Sequence, residues 1–187
     1  MSHKLRFSTP LLKMAFASAV LSTLLFVAAS PLLGINVYFP FPVQWVYVVA
    51  HLLGGFGVGL LLWTIVSEPD EQGKRDWLQC AAVVTLVLYH LVAAVSYGFM
   101  FSYGLYKFAL MLWWARMVLI LTVVFDFIVF GDELLNIAGV LLLLAMVASC
   151  PFTLPGGWSV AQWIVAKITA LLLALMLYVN AKSISRY

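Results

Sequence analysis

The chain has 187 residues, of which 65% are hydrophobic and 9% charged, with a formal net charge of +3. A water-soluble domain is about half apolar and about a quarter charged, so this charge content cannot cover a soluble globule. The low hydrophobicity and high charge of a disordered chain are also absent. An integral membrane protein with little mass outside the bilayer remains, in keeping with a mean hydropathy of +1.10. Cys80 and Cys150 both lie in apolar runs and form neither a CxxC pair nor a disulfide framework.

A bilayer core about 30 Å thick takes roughly 20 apolar residues per helical span. The first run, Leu12–Leu33, has Lys4, Arg6 and Lys13 at its N-terminal edge and carries Ala15-x-x-x-Ala19. It is long and has no clean A-x-A site at its end, directly before Pro31, so it is expected to be retained rather than cleaved as a signal peptide. The second run, Val43–Val66, holds His51 and Gly55-x-x-x-Gly59, a spacing of small residues that lets helices approach closely. The third, Trp77–Phe101, holds His90, and the fourth, Phe108–Phe130, holds Arg116, Thr122 and Asp126. The fifth and shortest, Leu134–Cys150, ends at Pro151 and the Pro155-Gly156-Gly157 turn. The sixth, Ser159–Ala181, holds Lys167. These runs are continuous rather than alternating, which predicts helices and not barrel strands. The expected fold is all-α: a single-domain bundle of six transmembrane helices.

Lys4, Arg6, Lys13, Lys74, Arg75, Lys182 and Arg186 fall on one side of these spans and only Lys107 on the other. That asymmetry predicts a multi-pass protein of the inner (plasma) membrane with both termini cytoplasmic. The same bias accounts for the net charge, so the bilayer and not nucleic acid is the expected partner. Trp45, Trp77, Trp113, Trp114 and Trp158 lie near span ends, where indole rings favour the interface. The connections are short, which confines any active centre to the bilayer or its surface.

Ionisable residues inside spans are costly and are functional candidates by default. His51, Arg116 and Lys167 each lie eight residues from the outer edge of their span, about 12 Å deep, and His90 lies eleven residues, about 16 Å deep. Four titratable groups on four helices thus share one layer that contains no carboxylate. Two cations without counter-charge predict an anionic partner: a ligand, a cofactor carboxylate or a lipid phosphate. Snorkelling of Arg116 and Lys167 beside Trp113 and Trp163 is the plainer explanation of the same residues. His51 and His90, on consecutive helices, suit joint ligation of a b-type haem or a metal such as copper or zinc. Gly54 and Gly55 beside one ring and Ala93 and Ala94 beside the other would leave room for a flat macrocycle, and they equally suit close helix packing. Asp126, near Thr122 and Gln79, is a candidate proton or ion path, or else a helix-end carboxylate reaching water. No GxSxG, HExxH, P-loop or GxGxxG motif is present, so no catalytic motif identifies the chain as an enzyme.

Two resemblances rest on short motifs. The residues from Ser67-Glu-Pro-Asp through Tyr103-Gly-Leu to Trp114-Ala-Arg116 resemble the second and third helices of microbial rhodopsins. Ala166-Lys167 is similar to their retinal-bearing lysine, which implies a Schiff base at Lys167. The carboxylate which that family carries three residues after the arginine is Leu119 here, and there are six runs rather than seven. The size, the six spans and Ala15-x-x-x-Ala19 are similar to the substrate-binding components of energy-coupling-factor vitamin transporters. In those proteins an Ala-x-x-x-Ala patch docks a coupling subunit.

The leading expectation is a small membrane protein that binds a prosthetic group or anionic lipophilic ligand in the outer half of the bilayer. In its most concrete form it serves membrane electron transfer, with haem or quinone at His51 and His90 and with Arg116 and Lys167 on the acidic or carbonyl groups. The alternatives are the substrate-binding component of a vitamin or anion uptake transporter and an accessory subunit of a larger complex. The latter would pair with another membrane protein or with a second copy of the chain.

Overall fold

The computed structural model describes residues 8–30, 42–68, 76–98, 103–149 and 158–184. They form six helices: α1 Thr9–Ala28, α2 Val43–Val66, α3 Trp77–Gly98, α4 Tyr103–Val129, α5 Glu133–Ala148 and α6 Trp158–Ile184. No strand occurs among the described residues, and five of the helices are long and apolar enough to cross a membrane. The chain is therefore an α-helical bundle of membrane-protein type. The exception, α5, has 16 residues, which at about 1.5 Å per residue gives roughly 24 Å, short of the hydrocarbon thickness. Lys4, Arg6, Lys74, Arg75, Arg186, Cys150, the ring of Trp158 and the 155–157 turn lie outside the described residues, so orientation rests on the distribution of Lys and Arg alone.

The helix boundaries follow backbone chemistry as well as hydropathy. The range of α2 coincides with the apolar run. By contrast α1 begins at Thr9, three residues before its run, because Pro10 occupies the first turn, where no N–H partner is needed. α4 begins five residues before its apolar run and α6 extends three residues beyond its own, because helical hydrogen bonding continues where lipid depth ends. Asp132 caps α5 by accepting a hydrogen bond from the Leu135 N–H at 2.9 Å. Asp132→Ala is expected to cost about 1 kcal/mol, measurable as a lower thermal midpoint in detergent.

Each helix packs on its neighbours in sequence, and α6 closes the ring against α1 and also reaches α2. Neighbouring helices run in opposite directions, as side-chain bonds at their ends indicate. Near the start of α2 the Tyr47 hydroxyl donates to the Ala29 carbonyl at 2.9 Å, at the end of α1. Near the end of α6 the Asn180 amide donates to the Leu134 carbonyl at 3.4 Å, at the start of α5.

The core is built by small residues at helix crossings and by large apolar residues between them, with Leu12, Leu61, Leu62, Val83, Val123 and Leu177 fully enclosed. Gly55 and Gly59 face α3, where an added Cβ would lie 2.8 Å from the Cβ of His90 and 2.5 Å from a Val87 methyl. Gly57 faces the other way, against the Ala15 carbonyl and the Ala19 amide nitrogen of α1. Ala15 and Ala19 are buried by this contact, at 0% and 3% exposure. Ala15-x-x-x-Ala19 is therefore spent within the bundle, and the exposed docking patch implied by the transporter resemblance does not exist at these residues. The span-end reading of Trp113 also needs correction, because its ring is 5% exposed and lies inside the bundle, whereas Trp45, Trp77 and Trp114 are exposed.

Candidate functional site

All six helices contribute to a central cavity of about 190 Å³. It lies in the half of the bundle where α1, α3 and α5 end and α2, α4 and α6 begin. Arg116 of α4, Lys167 of α6 and His90 of α3 line it, together with Ser22 and Thr23 of α1 and Ser149 at the end of α5. Val58, Leu86, Ile120, Leu142 and Leu173 form its apolar side. Among the described residues no Asp or Glu is in the lining.

Aromatic rings hold the two cations in place. The Arg116 guanidinium lies 4.4 Å from the centre of the Tyr89 ring and 5.8 Å from that of Trp113. The Lys167 ammonium lies 4.7 Å from the Phe26 ring and 5.6 Å from the Trp163 ring. Each cation thus has π-electron density on one side, worth about 0.5–2 kcal/mol, and an open cavity on the other. Among the described residues neither has a carboxylate partner. Trp113 and Trp163 accompany the cations, as snorkelling would require, but the charges point into the bundle.

His51 and His90 meet directly, their Nδ1 atoms 3.2 Å apart and joined by a hydrogen bond. His51 is buried, at 7% exposure, and is packed edge-on against Phe26 at 5.0 Å and Tyr89 at 6.1 Å, with Tyr97 stacked on it at 5.4 Å. Tyr47 continues the stack on Tyr97 at 5.0 Å. Ser22 donates a 2.7 Å hydrogen bond to the Ala50 carbonyl. Gly54 permits this contact, since a Cβ there would lie 2.7 Å from the Ser22 oxygen. The glycines beside the histidines therefore serve ring packing and helix approach. Two imidazoles on opposite faces of a haem iron need about 4 Å between their nitrogens, twice a metal–nitrogen bond of about 2 Å, and a macrocycle between the rings. Rings in hydrogen-bond contact do not fit that arrangement. No group of three or more His, Cys, Asp or Glu side chains suited to a metal occurs among the described residues.

Asp126 and Thr122 lie elsewhere, towards the other end of α4, with Asp126 ten residues or about 15 Å from Arg116. The Thr122 hydroxyl donates to the Leu119 carbonyl at 2.6 Å. Gln79 is committed to Asp76, to which its side-chain amide donates at 3.1 Å while Asp76 caps α3. Neither Asp126 nor Thr122 lines the cavity.

Sequence reasoning singled out the four layer residues but not Phe26, Tyr47, Tyr89 and Tyr97. Tyr47 precedes His51 by four residues, Tyr89 adjoins His90 and Tyr97 follows it by seven. Helical spacing from the histidines could have found Tyr47 and Tyr97, whereas Tyr89, next in sequence to His90 and so on a different face of the helix, and Phe26 carry no such signal.

The site and fold define an α-helical membrane bundle with a cationic internal cavity. Compared with protein-family models, curated proteins and solved structures, the chain matches none. The rhodopsin and transporter resemblances therefore rest on their short motifs alone. Among the described residues no carboxylate stands near enough to Lys167 to pair, as a protonated Schiff base would need.

Proposed function

We propose that this protein binds an organic anion, taking its carboxylate or phosphate group between Arg116 and Lys167. The observation that carries the reading is that two cations from different helices line one cavity with no acidic residue in its lining among the described residues. Both side chains are partly buried; an unpaired charge withdrawn from water is expensive, and an anion at that position would offset both. The volume of 190 Å³ lies below the about 300–1,000 Å³ usual for pockets enclosing drug-sized ligands. It suits a compact anion or the head of a lipophilic one, whose tail would lie along Leu86, Ile120 and Leu142. A quinone head is compatible with the same donors, whereas haem would require His51 and His90 to part. Uptake of an anionic solute is the second reading, favoured because the cavity is central and touches all six helices.

The test is calorimetric titration of the purified protein in zwitterionic nanodiscs with decanoate, acetate and decyltrimethylammonium. Saturable binding of decanoate or acetate, and none of the cation, is expected. Decanoate binding far more tightly than acetate would identify a lipid-like ligand, and comparable affinities a free solute anion. Binding of neither anion, or equal binding of the cation, would overturn the reading.

A further inference from the structure

We propose that the His51–His90 pair takes up one proton when the cavity binds an anion, so that binding is proton-coupled. The inference rests on the anion-binding reading above and adds a second participant to it. A neutral imidazole carries one proton on one of its two nitrogens. With the Nδ1 atoms 3.2 Å apart, one ring donates and the other accepts. The accepting ring then carries its own proton on Nε2, and the donating ring has a bare Nε2. The neutral pair therefore has one vacant nitrogen outside the shared bond, and a proton arriving there makes the pair a cation.

The groups facing the pair decide when that happens. From α1 come the Phe26 ring and, on the cavity wall, Ser22, whose hydroxyl proton is committed to Ala50. Tyr47 of α2 joins through Tyr97, and α3 adds Tyr89 and Tyr97. Arg116 of α4 and Lys167 of α6 share the cavity with His90, while the residues of α5 on its wall are Leu142, Ala145 and Met146. No carboxylate is in this set. In the empty cavity a protonated pair stands beside two fixed positive charges with nothing to offset them. A bound anion reverses the local field, and over these distances in a low-dielectric interior that interaction is strong. Coupling of this kind is reciprocal: the anion draws the proton in, and the proton strengthens the hold on the anion. The proton comes from solvent and settles on the vacant Nε2, and no other bond changes. A site with two permanent cations and one proton-accepting pair thus binds its anion together with a proton.

The test uses decanoate and acetate in turn, because carboxylates with pKa values of about 4–5 are fully ionised near pH 7 and bring no proton themselves. Calorimetric titrations at pH 7 in Bis-Tris and in Tris, amine buffers that do not compete as anions and whose ionisation enthalpies differ, should report close to one proton taken up per anion bound. Affinity should fall as pH rises from 6 to 8, by up to about tenfold per unit. In protein labelled with ¹⁵N at histidine, half of the unprotonated-nitrogen signal of His51 and His90 should disappear on saturation with the anion. Binding without proton uptake would overturn the inference and leave the anion site standing. Uptake with unchanged histidine nitrogens would place the proton elsewhere and overturn it as well. Absence of binding by both anions would instead remove the anion-binding reading, and this inference with it.

Discussion

Replacing Arg116 and Lys167 together by glutamine is expected to weaken decanoate binding by at least about 100-fold and to leave the fold as stable as before. The first part follows from the donor set. A hydrogen bond to a charged group contributes about 1.5–3 kcal/mol, so loss of one cation should cost roughly 10- to 150-fold in affinity and loss of both correspondingly more. The second part follows from what the cations lack. Neither has a carboxylate partner among the described residues, and both face a cavity within the bundle. Removing such a charge relieves desolvation without leaving an opposite charge stranded. Glutamine keeps most of the side-chain length, so contact with Tyr89 and Trp113 on one side and with Phe26 and Trp163 on the other is partly retained. Calorimetric titration gives the affinity and a thermal melt in detergent gives the stability. Unchanged affinity would return both residues to the role of aromatic-shielded cations with no ligand. A large drop in melting temperature would show that they hold the helices together.

Gly57→Leu is expected to destabilise the bundle by about 3 kcal/mol or more. At Gly57 an added Cβ would lie 2.5 Å from both the Ala15 carbonyl oxygen and the Ala19 amide nitrogen. Those atoms are backbone and cannot rotate away, so α1 and α2 must separate. Overpacking a tight contact by a few atoms already costs about 1–3 kcal/mol, and leucine adds four carbons. The damage should reach the cavity, because α1 also carries Ser22, Thr23 and Phe26. A shift of α1 would break the Ser22 bond to Ala50 and move the ring that shields Lys167. Gly104→Ala is the matched control, since nothing stands within 4 Å of a Cβ at that position. Equal melting temperatures for Gly57→Leu and the wild type would show that the two helices do not need this approach.

The glycine stripe of α2 shows where sequence reading stops. Gly55-x-x-x-Gly59 identifies a close helix contact, because only small side chains allow one. Its partner is α3, at His90 and Val87, while Gly57, which lies outside that spacing, meets Ala15 and Ala19 of α1. The two alanines and the two glycines look like separate packing motifs in the sequence. In the bundle, Gly57 joins the alanines to α2, while Gly55 and Gly59 belong to a different interface. Spacing along one helix says which residues share a face, but it carries no information about the helix opposite.

The class of protein and the depth of its polar layer were determined by the sequence. Apolar runs of about 20 residues have only one way to satisfy their backbone in a membrane, and a rise of about 1.5 Å per residue converts position into depth. His51, His90, Arg116 and Lys167 could therefore be placed at one level before any helix was positioned. Which way they point was decided by tertiary structure alone. Rotation of each helix about its axis and the closing of α6 onto α1 and α2 turned both cations towards one cavity. The same packing brought the two imidazoles within 3.2 Å of each other and left Asp126 outside. Depth is a local property of one helix, whereas convergence depends on the packing of all six, in which small residues, aromatic rings and buried leucines compete for the same space.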